Sequence, residues 1–300
     1  MDSTSALINW YPDLLAILFV DLVLAVALLT AFRKLAGLIS GVSSTDELAN
    51  KDNFAFGLVF AGGMTGLAIV LTGVVSGDTG NSLLKEIVLV LTYGLLGIGL
   101  MILSRKVLDN FALPEIDLHD QIMKGNMSAA IVDMSNLLAT AIIVRATMIW
   151  TEDTNLYGLV AVVMGFVVSQ VVLISVTKYR CRVYSLRHGG ESLQEAFAKG
   201  NNALAIRYCG HKVGVALAVT AASGFVPYNE DRLFMACLAW GMFSIILTIV
   251  LSLIAIAARH IILAKINVVD EVDNQKNIGV GFIEALIYIS IGLLLSSLIA

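Results

Sequence analysis

Residues 195–212 read EAFAKGNNALAIRYCGHK. The stretch enters an apolar run through Lys199, Gly200 and Asn201, then carries Arg207, His211 and Lys212 to lipid depth. An ionisable side chain there costs at least ~2.5–3.5 kcal/mol, so it marks a site or a buried partner. The same entry recurs at Asn53, Asn126 and Asn277, each followed by small residues: NFAFG, NMSAA, NNALA and NIGVG. A lysine stands one or two residues before each asparagine (Lys51, Lys124, Lys199, Lys276), and an acid stands six before (Glu47, Asp120, Glu195, Glu271). Spacings of 73, 75 and 76 residues describe one helical hairpin used four times, or a four-helix unit used twice.

Composition supports that reading. Of 300 residues, 58% are apolar and 14% charged, with a mean hydropathy of +0.87. Soluble domains are nearer a quarter charged. Eight runs can span a bilayer: 13–35, 53–76, 83–106, 127–150, 157–178, 202–226, 233–259 and 278–299. Peptide groups left unpaired in lipid cost several kcal/mol each, so these runs must be helical. The fold class expected is all-α integral membrane, with four-helix units at 1–152 and 153–300. The N-terminal MDSTSALINWYPD has no basic residue, which argues against a cleaved secretory signal. Cys181, Cys209 and Cys237 form no metal-like pair, so neither a disulfide framework nor a metal site is expected. Nothing in the chain resembles a nucleic-acid module, and no cofactor is expected.

Charge sets the expected topology. Of 19 Lys and Arg, 14 lie at the ends of the odd-numbered spans or in the linkers that follow. The positive-inside rule places those linkers in the cytoplasm and both termini outside. Successive hairpins then point the same way, so the repeats are parallel. The outer loops are acidic, with Asp78, Glu152, Asp153, Glu230 and Asp231. Ser44-x-x-Glu47 and Ser192-x-x-Glu195 fit capping boxes, and Asp117-x-x-Asp120 is a relative, which makes the acid at −6 a helix-start device. Short interfacial helices are expected before the even spans.

The polar residues inside spans are Asp21, Asp133, Asn136, Arg145, Arg207, His211, Lys212 and Glu284. Counted from the aligned asparagines, Asp133, Tyr208 and Glu284 fall at +7, Arg207 at +6, and Asn136 and His211 at +10. At 1.5 Å per residue these layers lie about 10 and 15 Å deep. Asp21 enters from the other side, roughly 12 Å deep, and is expected to meet Lys212. Three acids thus face three bases. His211 is the group whose ordinary pKa lies near neutrality, which suits a proton carrier. Gly62-x-x-x-Gly66 and Gly210-x-x-x-Gly214 let helices approach closely.

The Lys-Gly-Asn entry with small residues after it resembles the YjfL-like family of bacterial inner-membrane proteins, the family numbered 350 among the domains of unknown function. The matching positions are Asn53 with Ala55 and Gly57, Asn126 with Ala129 and Ala130, Asn201 with Ala203 and Ala205, and Asn277 with Gly279 and Gly281. The resemblance implies two tandem four-helix units in a bacterial inner membrane. It brings no activity with it.

The function expected is a channel or transporter-like protein for protons or small cations. Its path would use Asp21, Asp133, Asn136, Arg207, His211, Lys212 and Glu284. The alternative is a non-transporting membrane scaffold or stress-response subunit with a structural charge network. Partners would be the lipid bilayer, and either a second copy of the chain (a homo-oligomer) or a peripheral protein on the cytoplasmic linkers. An enzyme is not expected: Ser223 in AASGF lacks a nucleophile-elbow setting, and no nucleotide fingerprint is present.

Overall fold

The computed structural model describes residues 12–75, 83–151 and 156–299. Asp78, Glu152 and Asp153 of the acidic loops, and the N-terminal stretch up to residue 11, lie outside the described residues. Ten α-helices follow in order: α1 Pro12–Ser40, α2 Phe54–Val75, α3 Leu83–Val107, α4 Leu118–Met123, α5 Met127–Trp150, α6 Leu156–Arg187, α7 Leu193–Ala198, α8 Asn202–Ser223, α9 Leu233–Ile262 and α10 Ile278–Ile299. No strand occurs among the described residues. Seven helices are long and apolar enough to cross a membrane: all of the long ones except α8. At 22 residues α8 has the length, but it carries Arg207, Tyr208, His211 and Lys212. Those four polar side chains replace the apolar surface that a lipid-facing helix needs.

Packing explains why α8 can carry them. Helices α2, α5, α8 and α10 form a continuous inner row, each packed on the next, while α1, α3, α6 and α9 lie outside it. In the most apolar window of α5, 78% of residues are buried, against 17% in α1. The row is tight because small residues face each other across it. A Cβ added to Gly62 would press on Met134, one on Gly210 would land on the Cα of Ala285, and one on Gly281 would meet the carbonyl of Ala203. Such close approach replaces the hydrophobic effect, which lipid cannot supply between helices.

Each inner helix starts with the same device. The residue before the asparagine has positive φ: Asp52 at 49°, Gly125 at 81°, Gly200 at 75° and Lys276 at 55°. Glycine takes this conformation freely; Asp52 and Lys276 take it against the Cβ penalty. The turn lets the asparagine cap its own helix. Asn126 Oδ1 accepts from the amides of Ser128 (2.9 Å) and Ala129 (3.3 Å). Asn53, Asn201 and Asn277 accept likewise from Phe56, Leu204 and Val280.

The side-chain amide then reaches across. Asn53 Nδ2 donates to the carbonyls of Ile122 and Met123, Asn126 to those of Phe197 and Ala198, and Asn201 to those of Val272 and Asp273. Each hairpin is therefore latched to the linker of the next. Replacing Asn126 with Ala should lose the cap and two cross-hairpin bonds, about 2–3 kcal/mol together. Asn126→Asp should cost at least as much, because a carboxylate would face two carbonyls. Thermal unfolding of the detergent-solubilised variants measures both. Midpoints equal to wild type would remove the latch from the account.

The linkers carry the expected short helical segments: α4, α7 and the wider turns Asp46–Asn50 and Asp270–Asn274. The acid at −6 behaves differently from a capping box. It reaches forward, not back: Asp120 to Lys124 (2.5 Å), Glu195 to Lys199 (2.8 Å), Glu47 to Lys51 (2.6 Å) and Asn53 (3.0 Å), and Glu271 to Asn277 (2.9 Å). The caps are Asp117 for α4, Ser192 for α7, and Ser43 in place of Ser44 in the first linker. Lys51 and then Asn53 hold the buried Glu47 carboxyl below its ordinary range.

Candidate functional site

The polar residues inside the helices divide into separate groups. In the first unit, Arg105 near the end of α3 grips Asp133 with two bonds, Nε to Oδ1 at 3.1 Å and Nη2 to Oδ2 at 2.6 Å. A planar guanidinium fork suits this bidentate geometry. Asn136 donates to Ser104 Oγ at 3.1 Å. Both bonds tie α5 to its own hairpin partner. Lys212 lies against Tyr208, 3.3 Å from its hydroxyl and 5.5 Å from the ring centroid. Arg145 donates to Thr72.

Asp21 is buried on α1 with Glu86 of α3 as its charged neighbour, so the expected meeting with Lys212 does not occur. The reason is the layering: α1 packs on α3 and α2, whereas α8 packs on α5, α9 and α10. Nor do Asp133 and Arg207 share a site, because each finds its partner within its own unit.

The second unit holds the larger assembly. Glu284 on α10 is 1% exposed. It accepts from Arg259 Nη1 at 2.9 Å and lies 3.8 Å from both Arg207 Nη1 and His211 Nε2. Arg207 also pairs with Asp273 of the last linker. His188 approaches Asp273 at 3.4 Å and stacks on Tyr184, ring centroids 4.0 Å apart. The ring centroids of His211 and Tyr288 lie 3.7 Å apart, and the guanidinium carbon of Arg180 lies over the Tyr288 ring, 5.5 Å from its centroid.

All of these residues except His188 line a cavity of about 180 Å³ between α6, α8, α9 and α10. Exposed Tyr179 and Arg187 stand at its mouth; His211, Glu284 and Tyr288 form its floor. Four guanidiniums (Arg180, Arg187, Arg207, Arg259) face two carboxylates (Asp273, Glu284), an excess of two positive charges. Arg180 Nε, His211 Nε2, Glu284 Oε2 and Asp273 Oδ2 are buried with no hydrogen-bond partner among the described residues. Beyond the floor the way is closed by an apolar block that includes Val215, Val219, Trp240 and Ile287.

The first unit has the same gap in another chemistry. Its counterpart, about 30 Å³, is lined by Phe56, Val59 and Phe60 of α2. Those three stand where α8 has Leu204, Arg207 and Tyr208. Of the expected residues, the structure brings Arg207, His211 and Glu284 to one cavity and leaves Asp21, Asp133, Asn136 and Lys212 outside it. Arg180, Arg259, Asp273 and Tyr288 complete it. The signal for the arginines was in the sequence. Arg105, Arg180 and Arg259 precede their asparagines by 21, 21 and 18 residues, and the first and last of them meet the +7 acids Asp133 and Glu284.

Comparison with known proteins fits this two-unit organisation. The chain is 26% identical over 103 residues to a UPF0719 transmembrane protein of Aquifex aeolicus, a match spanning 34% of this chain and 38% of that protein. No solved structure matches. The Domain of Unknown Function family DUF350 matches twice, over residues 8–148 and 154–299. The protein is thus a multi-pass membrane protein, and the chain belongs to the DUF350 family as two copies in tandem.

Proposed function

We propose that the second unit is a transporter-like binding module for a small anion, open on the linker side. The observation that carries this reading is the cavity's positive excess, with Arg180 lacking a carboxylate partner. Pockets that bind small molecules combine an apolar wall with a few convergent polar groups, as here. Arg207 and Arg259 are engaged by Asp273 and Glu284; Arg180 carries a buried Nε with no hydrogen-bond partner among the described residues. A cavity of this size admits a carboxylate- or phosphate-sized solute together with a few waters, at ~30 Å³ per water. A proton or small-cation path, which the sequence favours, would need a carboxylate free of guanidinium. Neither carboxylate in the cavity is free.

In this reading all eight long helices span a bacterial inner membrane, with the linkers and the cavity mouth in the cytoplasm. The activity is non-enzymatic. The apolar block beyond His211 closes the outward side, as alternating access requires of one state. The first unit acts as scaffold: its Arg105–Asp133 pair is closed and its gap apolar.

The test is ligand-dependent thermal stability of the purified protein in detergent. Phosphate, sulfate and succinate are each titrated at fixed ionic strength against chloride. At one hundred times Kd a ligand stabilises by about 2.7 kcal/mol, a rise of a few degrees for a chain of this size. Arg180→Gln should abolish the rise. A rise that persists in Arg180→Gln, or none with any anion, would sink the proposal. Counterflow of the stabilising anion in proteoliposomes then separates transport from binding alone.

A further inference from the structure

The inner row α2–α5–α8–α10 is open at both ends, and its two ends carry complementary halves of one linkage. Within the row, the junctions inside the two units use the same register. The helix that gives presents small residues at +2, +9, +13 and +20 from its asparagine. They are Ala55, Gly62, Gly66 and Gly73 on α2; Ser128, Ser135, Ala139 and Ala146 on α5; Ala203, Gly210, Gly214 and Ala221 on α8. The helix that receives lays its +8 and +15 positions on them. Gly62 thus meets Met134, Gly66 meets Ala141, and Gly210 meets Ala285. At the junction between the two units, α5 on α8, the +2 residue meets the entry of the next helix: Ser128 Oγ donates to the carbonyl of Asn201 at 3.1 Å.

The last helix is built to give once more. At the same positions α10 has Gly279, Leu286, Ser290 and Ser297, all exposed. Three of the four are small, on a face that otherwise presents Phe282 and Leu293. Apolar side chains on a lipid-facing helix need no explanation, but this spacing does. The polar half of the linkage is also present. The side-chain amide of Asn277 donates to Glu271 of its own linker and, among the described residues, to no carbonyl of another hairpin, whereas Asn53, Asn126 and Asn201 each hold two.

The first helix is built to receive. Its +4, +8 and +15 positions are Gly57, Ala61 and Ala68; the first is half-buried, the others exposed. The linker before it, DELANKDN at 46–53, parallels DEVDNQKN at 270–277. That parallel puts the carbonyls of Leu48 and Ala49 where Val272 and Asp273 accept from Asn201. Ala49 is exposed.

We infer that a second copy of this chain continues the row head to tail, with α10 of one copy seated on α2 of the next and its Asn277 latched to the carbonyls of Leu48 and Ala49. The occupant is a second copy because both halves of the junction exist on this chain, in a register that the junctions inside both units already use. Such an interface is heterologous and closes into a ring or extends as a filament. The inference does not depend on the anion site, since none of its residues line that cavity.

Disulfide trapping in native membranes tests it. The +9 on +8 rule pairs Leu286 of one copy with Ala61 of the next. Cys181, Cys209 and Cys237 are first changed to alanine. The double variant Ala61→Cys with Leu286→Cys should give a ladder of covalent multimers on mild oxidation, and each single variant none. Monomer alone from the double variant means that lipid covers the face, and dimers from a single variant mean a symmetric interface; either overturns the inference. The unmodified protein in bilayer discs gives an independent reading. Its mass should be a multiple of 32.1 kDa, and a single 32.1 kDa particle overturns the inference as well.

Discussion

Glu284→Ala should destabilise the second unit more than any other single truncation of a cavity residue, by about 3–5 kcal/mol, and should sharply lower the protein recovered from membranes. The carboxylate is 1% exposed and is shared by Arg259 at 2.9 Å, with Arg207 and His211 each at 3.8 Å. Removing it leaves buried positive charge whose remaining acceptor is Asp273, already held by Arg207. Glu284→Gln keeps the volume and one acceptor, so it should fall between wild type and alanine. The variant Glu284→Gln with Arg259→Gln should recover stability beyond the sum of the single effects, since the second change removes the charge that the first left unpaired. Glu284→Gln also raises the cavity's positive excess, so it should tighten anion binding while it weakens the fold. A merely structural glutamate would move the unfolding midpoint alone. Measuring both on one preparation separates the two roles. Alanine and wild-type midpoints within 1 kcal/mol would mean that the guanidiniums find other partners.

The helical membrane class and the recurring entry could be read from the chain because both rest on local pattern: apolar runs of span length, and an asparagine between a lysine and two small residues. The inner and outer layers could be read as well, since polar side chains at depth must turn away from lipid. Partner choice could not. Depth along each even helix names no lateral neighbour, and the basic residues ending α3, α6 and α9 read in sequence as topology signals. With α6 at 32 residues and α9 at 30, those ends run beside the first turns of the neighbouring inner helices. Arg105 and Arg259 therefore reach the +7 acids of their own hairpins. The residue at +7 runs Phe60, Asp133, Tyr208, Glu284, an aromatic then an acid in each unit. That alternation accounts for the lack of a +7 acid on α2: it holds the aromatic place, as α8 does with Tyr208. Asp273 was invisible for a different reason. It lies in a linker that reads as solvated, and only the latch from Asn201 brings its backbone, and so its carboxylate, over the cavity.

Gly210→Ala should be the most damaging single-methyl change in the chain, at ~3 kcal/mol or more. Overpacking in a close-packed interior costs ~1–3 kcal/mol even where side chains can rotate aside. Here they cannot, because the added Cβ would fall on the Cα and carbonyl of Ala285, which are backbone. Relief requires α8 and α10 to separate along the most extensive helix pairing in the molecule. Separation would also draw His211 away from Glu284 and widen the cavity floor. The control is Gly99→Ala on α3, where a Cβ meets nothing within 4 Å. There alanine only removes glycine's helix penalty, so stability should hold or rise by up to ~1 kcal/mol. The two variants add the same methyl group to helices of the same protein, so composition and helix propensity cancel between them. Only the distance between backbones differs. Equal unfolding midpoints for the two would mean that α8 and α10 stand further apart than described, and the inner row would lose its tightest joint.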